Sequence, residues 1–387
     1  MIQCTEAELL QKIAQKNDIN FLAAAITPWH AIGISAYILK LTEEQKELKG
    51  YIMLMPHGLT GYALTEDNFQ IAQKHNNLEL VKIISTSYTK SIREKVRDKF
   101  QLYQYYLDFN RQKQKKGTLY WAVPEKPSYD LIPKIDRVVE DKRLEIILTD
   151  EGTGSYVLTR MGWWRTAYKQ AGIRGTKNIL CRDPLFLWCL KKKKQVCNFK
   201  LLAGNIGQYH KNPKAADYYK KIMEMQVSGE DYSYYDDAIV INPNMMYESG
   251  LLSDQSEIKL YEKIGEALKE RKETIIVKPH PREIDHIDKY ENIPNCRIEQ
   301  SRGMAQETIL AMAKKKPRCM IGFTSTALIT AKILFGIEAI SAIHMIDEDK
   351  ILCKESFNIF ERAFGNLLKM PETMEEMLDI IELSNRK

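Results

Sequence analysis

Short β-prone runs alternate along the chain with longer stretches whose apolar residues recur at helical spacing. In the first half the runs lie at 21–26, 51–55, 80–84 and 144–148, and in the second at 238–241, 274–277, 319–323 and 337–343. Between two of the later runs, the segment 257–271 sets Ile258, Leu260, Tyr261, Ile264 and Leu268 largely on one helical face. Strands separated by helices of this length predict βαβ units and parallel sheets, an α/β fold. The pattern breaks down between Tyr156 and Asp237 into a basic, aromatic stretch with turn signals at Gly172, Gly175, Pro184 and Pro213, which reads as an interdomain region. The expected organisation is an N-terminal Rossmann-like domain over 1–190, an interdomain region over 191–236, a C-terminal domain over 237–370 and an acidic amphipathic terminal helix over 371–387. Two doubly wound sheets would then face one another across a cleft. In open parallel sheets ligands sit beyond the carboxyl ends of the strands, so the informative residues should follow strands directly.

Composition narrows the class. With 387 residues, 44% of them apolar, the chain can bury ordinary cores. Lys+Arg 57 against Asp+Glu 51 leaves +6, too mild over this length to point to nucleic acid. Seven cysteines are spread without a C-x-x-C pair or zinc-type spacing, which fits a reduced compartment and thiols used as small core residues. The start Met1-Ile2-Gln3-Cys4-Thr5-Glu6 has no basic-then-apolar leader, and no run approaches the roughly 20 apolar residues of a spanning helix. A cytoplasmic protein is expected, with any membrane contact peripheral, at the inner face of the cytoplasmic membrane. Met161-Gly162-Trp163-Trp164-Arg165 and Leu185-Phe186-Leu187-Trp188, followed by Lys191 to Lys194, place aromatics beside cations. That composition suits a headgroup region; packed interdomain structure with a solvated rim accounts for it as well.

Three strand-end segments carry chemistry. After the run 144–148 comes Thr149-Asp150-Glu151-Gly152-Thr153-Gly154. Adjacent carboxylates in a cleft raise one another's pKa, so one could take the proton of an attacking hydroxyl, while the glycines admit a close backbone or ligand; a helix cap and turn explains the same residues. After the run 274–277 comes Lys278-Pro279-His280-Pro281-Arg282. Two prolines stiffen the corner around His280, and flanking cations suit a departing phosphate. After 319–321 come Gly322-Phe323-Thr324-Ser325-Thr326, hydroxyls at a helix start that can seat a phosphate or simply cap the helix. Glu307 opens the preceding helix, where a carboxylate can accept ribose hydroxyls or merely complement the helix end. Trp29 and His30 follow the first strand and either face the cleft or join the core. Nothing resembles an Asp-x-Asp metal site, so no metal and no cofactor are expected.

Taken in order, Asp150-Glu151-Gly152-Thr153-Gly154, the His280-Pro281 pair with Arg282, and Thr324-Ser325-Thr326 resemble the acidic-glycine and His-Pro motifs of the bacterial lipooligosaccharide and capsule sialyltransferases, over roughly 21–343. The resemblance implies a GT-B fold, CMP-sialic acid as donor, a cell-surface glycan as acceptor, inversion at the anomeric carbon and independence of metal. It also allows a homodimer. On that match His280 acts on the leaving phosphate. Thr324, Ser325 and Thr326 seat the phosphate, Glu307 holds the ribose, and Lys278, Pro281, Arg282 and Gly322 complete the donor side. Asp150 and Glu151 match the acidic motif, with Gly152, Gly154, Trp29 and His30 on the acceptor side. In the lipooligosaccharide branch the base comes from the loop before the helix leading to the histidine strand. In this chain that loop is 242–256, where Asp254 and then Glu248 are the candidates. A CMP-Kdo or CDP-glycerol transferase needs a similar strand-end histidine, and His57 in Met55-Pro56-His57-Gly58 keeps that class in view. A non-catalytic nucleotide-sugar-binding component of a glycan assembly complex would share the seat without turnover.

Overall fold

The structure, a computed structural model, describes residues 1–55, 64–74, 77–84, 93, 97, 100–101, 117–124, 131–139, 141–150, 152, 196–203, 210–226, 231–280, 283–301 and 304–384. They fall into two compact units, Met1–Glu151 with Asp183–Ala203 and Asn212–Gln226, and Gly152–Arg182 with Gly204–Lys211 and Val227–Lys387. Each is a Rossmann-like α/β unit, the domain composition of the GT-B class.

The first unit is built on seven parallel strands: β1 (Ile2–Cys4), β2 (Phe21–Ala25), β3 (Gly50–Leu54), β4 (Leu78–Ile83), β5 (Gly117–Pro124), β6 (Lys142–Thr149) and β7 (Val196–Asn198), in the order β1-β4-β3-β2-β5-β6-β7. Strands β2 and β3 are buried at every position, as central strands of a parallel sheet covered on both faces must be. Helix α1 (Glu6–Gln15) starts with a capping box between Thr5 and Glu8. Helix α2 (Pro28–Glu43) starts at Thr27, whose hydroxyl accepts from the His30 amide at 3.3 Å, with Pro28 at the first helical position. Shorter helices α3 (Gln70–Lys74) and α4 (Ile132–Val138) follow, then α5 (Pro213–Met225), which buries Ala215, Ala216, Tyr219, Ile222 and Met223. Strand order reverses between β2 and β5, so the loop after β2, carrying Trp29 and His30, emerges at a topological switch point. Two short strands, β8 (Leu202–Ala203) and β9 (His210–Lys211), belong to neither large sheet.

The second unit holds five parallel strands, β10 (Ile239–Ile241), β11 (Ile275–Val277), β12 (Cys296–Ile298), β13 (Cys319–Gly322) and β14 (Glu338–Ser341), ordered β12-β11-β10-β13-β14. The chain steps outward from β10 to β12, then crosses to β13, which puts the switch point between the ends of β10 and β13. Helix α6 (Ser256–Glu270) leads into β11 and buries Ile258, Leu260, Tyr261, Ile264 and Leu268, the stripe read from the sequence. Helix α7 (Gln306–Met312) precedes β13. Helix α8 (Thr326–Thr330) follows it and runs on into a π-helical turn, Ala331–Phe335, closed by left-handed Gly336. Helices α9 (Lys354–Phe364) and α10 (Met374–Ser384) are the last described elements, and α10 buries Met377 and Ile381. Among the described residues no helix is long and apolar enough to cross a membrane, and Cys4, Cys197, Cys296, Cys319 and Cys353 are free thiols.

Candidate active site

In the second unit the carboxyl ends of the strands gather the predicted donor residues. Asn242, the first residue after β10, connects two loops. Its Nδ2 donates to the Lys278 carbonyl at 3.3 Å, and its Oδ1 accepts from the Ser325 hydroxyl. Asn244 donates to Thr324 Oγ1 at 2.7 Å. Ser325 caps α8 by accepting from the Ala327 amide at 3.2 Å. Gly322 is required by closeness, since a Cβ there would lie 2.7 Å from the Asn242 carbonyl oxygen. The histidine loop after β11 and the hydroxyl loop after β13 are thus tied together through the strand between them, at the switch point. Gly152 clusters with this unit at φ +128°, and a Cβ on it would come within 2.8 Å of Thr326 Oγ1.

The His280 corner is held from its own backbone. Its amide donates to Glu283 Oε2 at 3.0 Å, and the Glu283 amide returns a bond to the His280 carbonyl at 2.8 Å. Lys278 is buried and directs its ammonium to the Ser301 carbonyl at 2.7 Å. Burial brings its pKa down to about 8 against the opposing pull of Glu299 and Glu307. Glu307 is also buried, with Oε1 accepting from Thr330 Oγ1 at 2.6 Å. The sequence places both residues beside the donor. The structure gives each a protein partner, Ser301 for Lys278 and Thr330 for Glu307.

The acidic residues before β11 differ in character. Asp254 is half-exposed, accepts from the Ser256 amide at 3.1 Å and lies 3.5 Å from Lys350 Nζ. The Ser256 hydroxyl first, then its amide and Lys350, hold Asp254 below the usual carboxylate range. Glu248 is paired with Lys289 at 2.9 Å. Glu257, not singled out by the sequence, is buried. One of its oxygens accepts from the Tyr247 amide at 2.9 Å and the other, Oε2, has no partner among the described residues. Burial pushes its pKa up to about 7.

In the first unit Asp150 follows β6 and is buried. Its Oδ2 accepts from the Leu201 amide and, at 2.8 Å, from the Tyr219 hydroxyl; its Oδ1 accepts from the Leu202 amide at 3.5 Å. Burial lifts its pKa to about 6, with Lys200, the Leu201 amide and Tyr219 working the other way. The Tyr219 ring packs against Trp29, centroids 5.3 Å apart. His30 is buried and accepts from the Ile26 amide through Nδ1 at 3.2 Å, which places the proton of the neutral ring on Nε2. Asp150, Tyr219 and Trp29 therefore form one cluster, and His30 stands at the same helix start. Glu151, Gly154, Pro281, Arg282, His57 and the Trp163–Trp164 and Trp188 segments lie outside the described residues.

Sequence reasoning missed Asn242, Asn244, Glu283, Glu257 and Tyr219. Two signals were present: the Asn-Pro-Asn run directly after a strand, and a glutamate three residues beyond His280, the spacing at which a side chain reaches back to a turn's first amide.

No curated protein matches the chain in sequence. Among solved structures, the UDP-GlcNAc 2-epimerase of Methanocaldococcus jannaschii in complex with UDP-GlcNAc and UDP is 13% identical, covering 95% of this chain and 93% of that one with a TM-score of 0.49. The GT-B domain of a Photobacterium damselae sialyltransferase is 12% identical, covering 90% and 99%, TM-score 0.42. The E. coli heptosyltransferase WaaC with ADP is 10% identical, covering 95% and 100%, TM-score 0.43. Likenesses this distant leave the assignment to the sequence family, whose model, alpha-2,8-polysialyltransferase (POLYST), matches residues 21–344. The chain, a glycosyltransferase of the sialyltransferase kind, belongs to the alpha-2,8-polysialyltransferase family.

Proposed function

We propose that the protein moves sialic acid from CMP-sialic acid to a hydroxyl of a cell-surface glycan, with inversion and without a metal ion. The observation that supports this best is the Asn242 bridge, which joins the His280 loop to the Thr324–Ser325 turn. A phosphate seated on Thr324, Ser325 and Thr326 is then served from the neighbouring loop by His280, which donates a proton or hydrogen bond to the departing oxygen. Glu307 takes the ribose by exchanging its bond to Thr330. Lys278 contributes positive charge from behind the loop while holding Ser301.

For the base we assign Glu151. Asp150 is committed to the Leu201 and Leu202 amides and to Tyr219, so its role in the pair is to fix the strand end. Asp254, held below the usual carboxylate range by Ser256 and Lys350, is the weaker alternative. The family's description makes an α-2,8 linkage to a sialylated acceptor the first to test, with lipooligosaccharide or capsule as its carrier. The sugar leaves with oxocarbenium character, so the enzyme's task is positioning and care of charge. The test is incubation of the purified protein, with EDTA, with CMP-sialic acid, CMP-Kdo and CDP-glycerol in turn, beside sialylated and unsialylated glycans. Acceptor-dependent release of CMP from CMP-sialic acid alone is the expected result. Release that needs added metal, or that occurs with another donor instead, contradicts the proposal.

A further inference from the structure

We propose that Glu283 is the positioning residue of the reaction: it sets His280 toward the leaving phosphate and acts only through it. The inference rests on the role of His280 given above. Pro279 and Pro281 have no amide hydrogen, so the His280 N–H is the sole backbone donor of the Pro279-His280-Pro281 corner. Glu283 takes that donor at 3.0 Å and closes the turn with its own amide on the His280 carbonyl at 2.8 Å. Both polar groups of the histidine backbone are therefore committed to one residue.

The carboxylate is itself fixed. Glu283 is 2% exposed, and its Oε1 accepts from the Tyr290 hydroxyl at 2.7 Å and from Lys289 Nζ at 2.6 Å. Lys289 is anchored in turn by Glu248 at 2.9 Å. A bond from an amide to a carboxylate is stronger than one to a neutral acceptor, and this carboxylate is held from its other oxygen by Tyr290 and Lys289. The prolines restrict the local dihedrals, but they leave the corner free to tilt as a body. Glu283 removes that freedom, which is what a group that must meet a developing oxyanion needs.

The test is a kinetic cycle of Glu283→Gln and His280→Ala, singly and together, with CMP-sialic acid and a sialylated glycan. Glutamine keeps the shape and one acceptor but meets Lys289 with an amide, so the brace loosens while the turn can form. Glu283→Gln is expected to lower kcat by about 10- to 100-fold, the scale of a misplaced catalytic group, with the donor KM within about 3-fold. In the His280→Ala background the same change should alter the residual rate by less than about 3-fold, because the residue it positions is gone. Equal losses in both backgrounds would overturn the inference, since a merely structural role weakens every form of the enzyme alike. An impaired His280→Ala beside an unimpaired Glu283→Gln overturns the role of Glu283 alone. A fully active His280→Ala overturns the mechanism on which it rests. If Glu283→Gln does not fold, as judged by thermal melting, Tyr290→Phe removes one brace and leaves both turn bonds. It should lower kcat by about 3-fold in the wild type and not at all without His280, and an equal loss in both refutes the proposal.

Discussion

Replacing Glu257 by glutamine should make the protein more stable at alkaline pH and leave it nearly unchanged in acid. Glu257 is 3% exposed, has one oxygen on the Tyr247 amide and another with no partner among the described residues, and has its pKa pushed from 4.5 up to about 7 by burial. Because the folded value exceeds the unfolded one, the folded protein holds a proton that the unfolded chain has lost between pH 4.5 and 7. Stability therefore falls as pH rises through that window and stays reduced above it. A tenfold change in proton affinity is about 1.4 kcal/mol, so the gap amounts to about 3 kcal/mol once Glu257 is ionised. Glutamine keeps the acceptor for Tyr247 and mimics the protonated acid at the other position. The gain on substitution is thus expected to stay below about 1 kcal/mol at pH 5 and to reach about 3 kcal/mol at pH 8, the latter about 6–12 °C in the melting of a unit of this size. Thermal or urea unfolding of both proteins at the two pH values measures it. An equal effect at pH 5 and pH 8 would mean that Glu257 ionises without penalty and that its free oxygen is hydrated.

Other substitutions test the site. Gly322→Ala forces a Cβ to within 2.7 Å of the Asn242 carbonyl oxygen and should cost about 1–3 kcal/mol as overpacking, raising the donor KM several-fold as Asn242 moves off Ser325; unchanged melting would mean that the two loops separate easily. Asp150→Asn turns a donor toward the Leu201 amide and should cost about 1–3 kcal/mol of stability with kcat within about tenfold. Glu151→Gln should lower kcat by about 100- to 10,000-fold with little change in melting. The reverse pattern would make Asp150 the base.

Much of the fold was legible because its central strands are continuous apolar runs buried on both faces. All eight runs read from the sequence are strands of the two sheets. The strands that escaped notice are mostly short edge strands whose residues are partly exposed, such as β1 and β12, which offer neither a long apolar run nor a clean alternation. Strand β5 is central but opens on Gly117 after a lysine run and ends on Pro124, and these punctuating residues mask its core of Leu119, Trp121, Ala122 and Val123.

The placement of candidate residues just beyond strands was also legible, since it follows from topology. What the side chains bind was not. Lys278 reaches Ser301 and Glu307 reaches Thr330, each 23 positions away, and Asp150 is satisfied by Leu201 and Tyr219, 51 and 69 positions away. No local pattern announces such partners. The same holds for Glu257, whose raised pKa comes from burial within the second unit and not from a neighbour in sequence.

His280 is proposed to assist departure of CMP from the donor. The direct measurement is the rate of sialic acid transfer from CMP-sialic acid to a sialylated glycan by wild type and His280→Ala, both in EDTA, with CMP binding followed by calorimetry. The expected result is a loss of about 100- to 10,000-fold in kcat with CMP affinity within a few-fold of wild type. Transfer within a few-fold of wild type by a variant that still folds and binds CMP would contradict it.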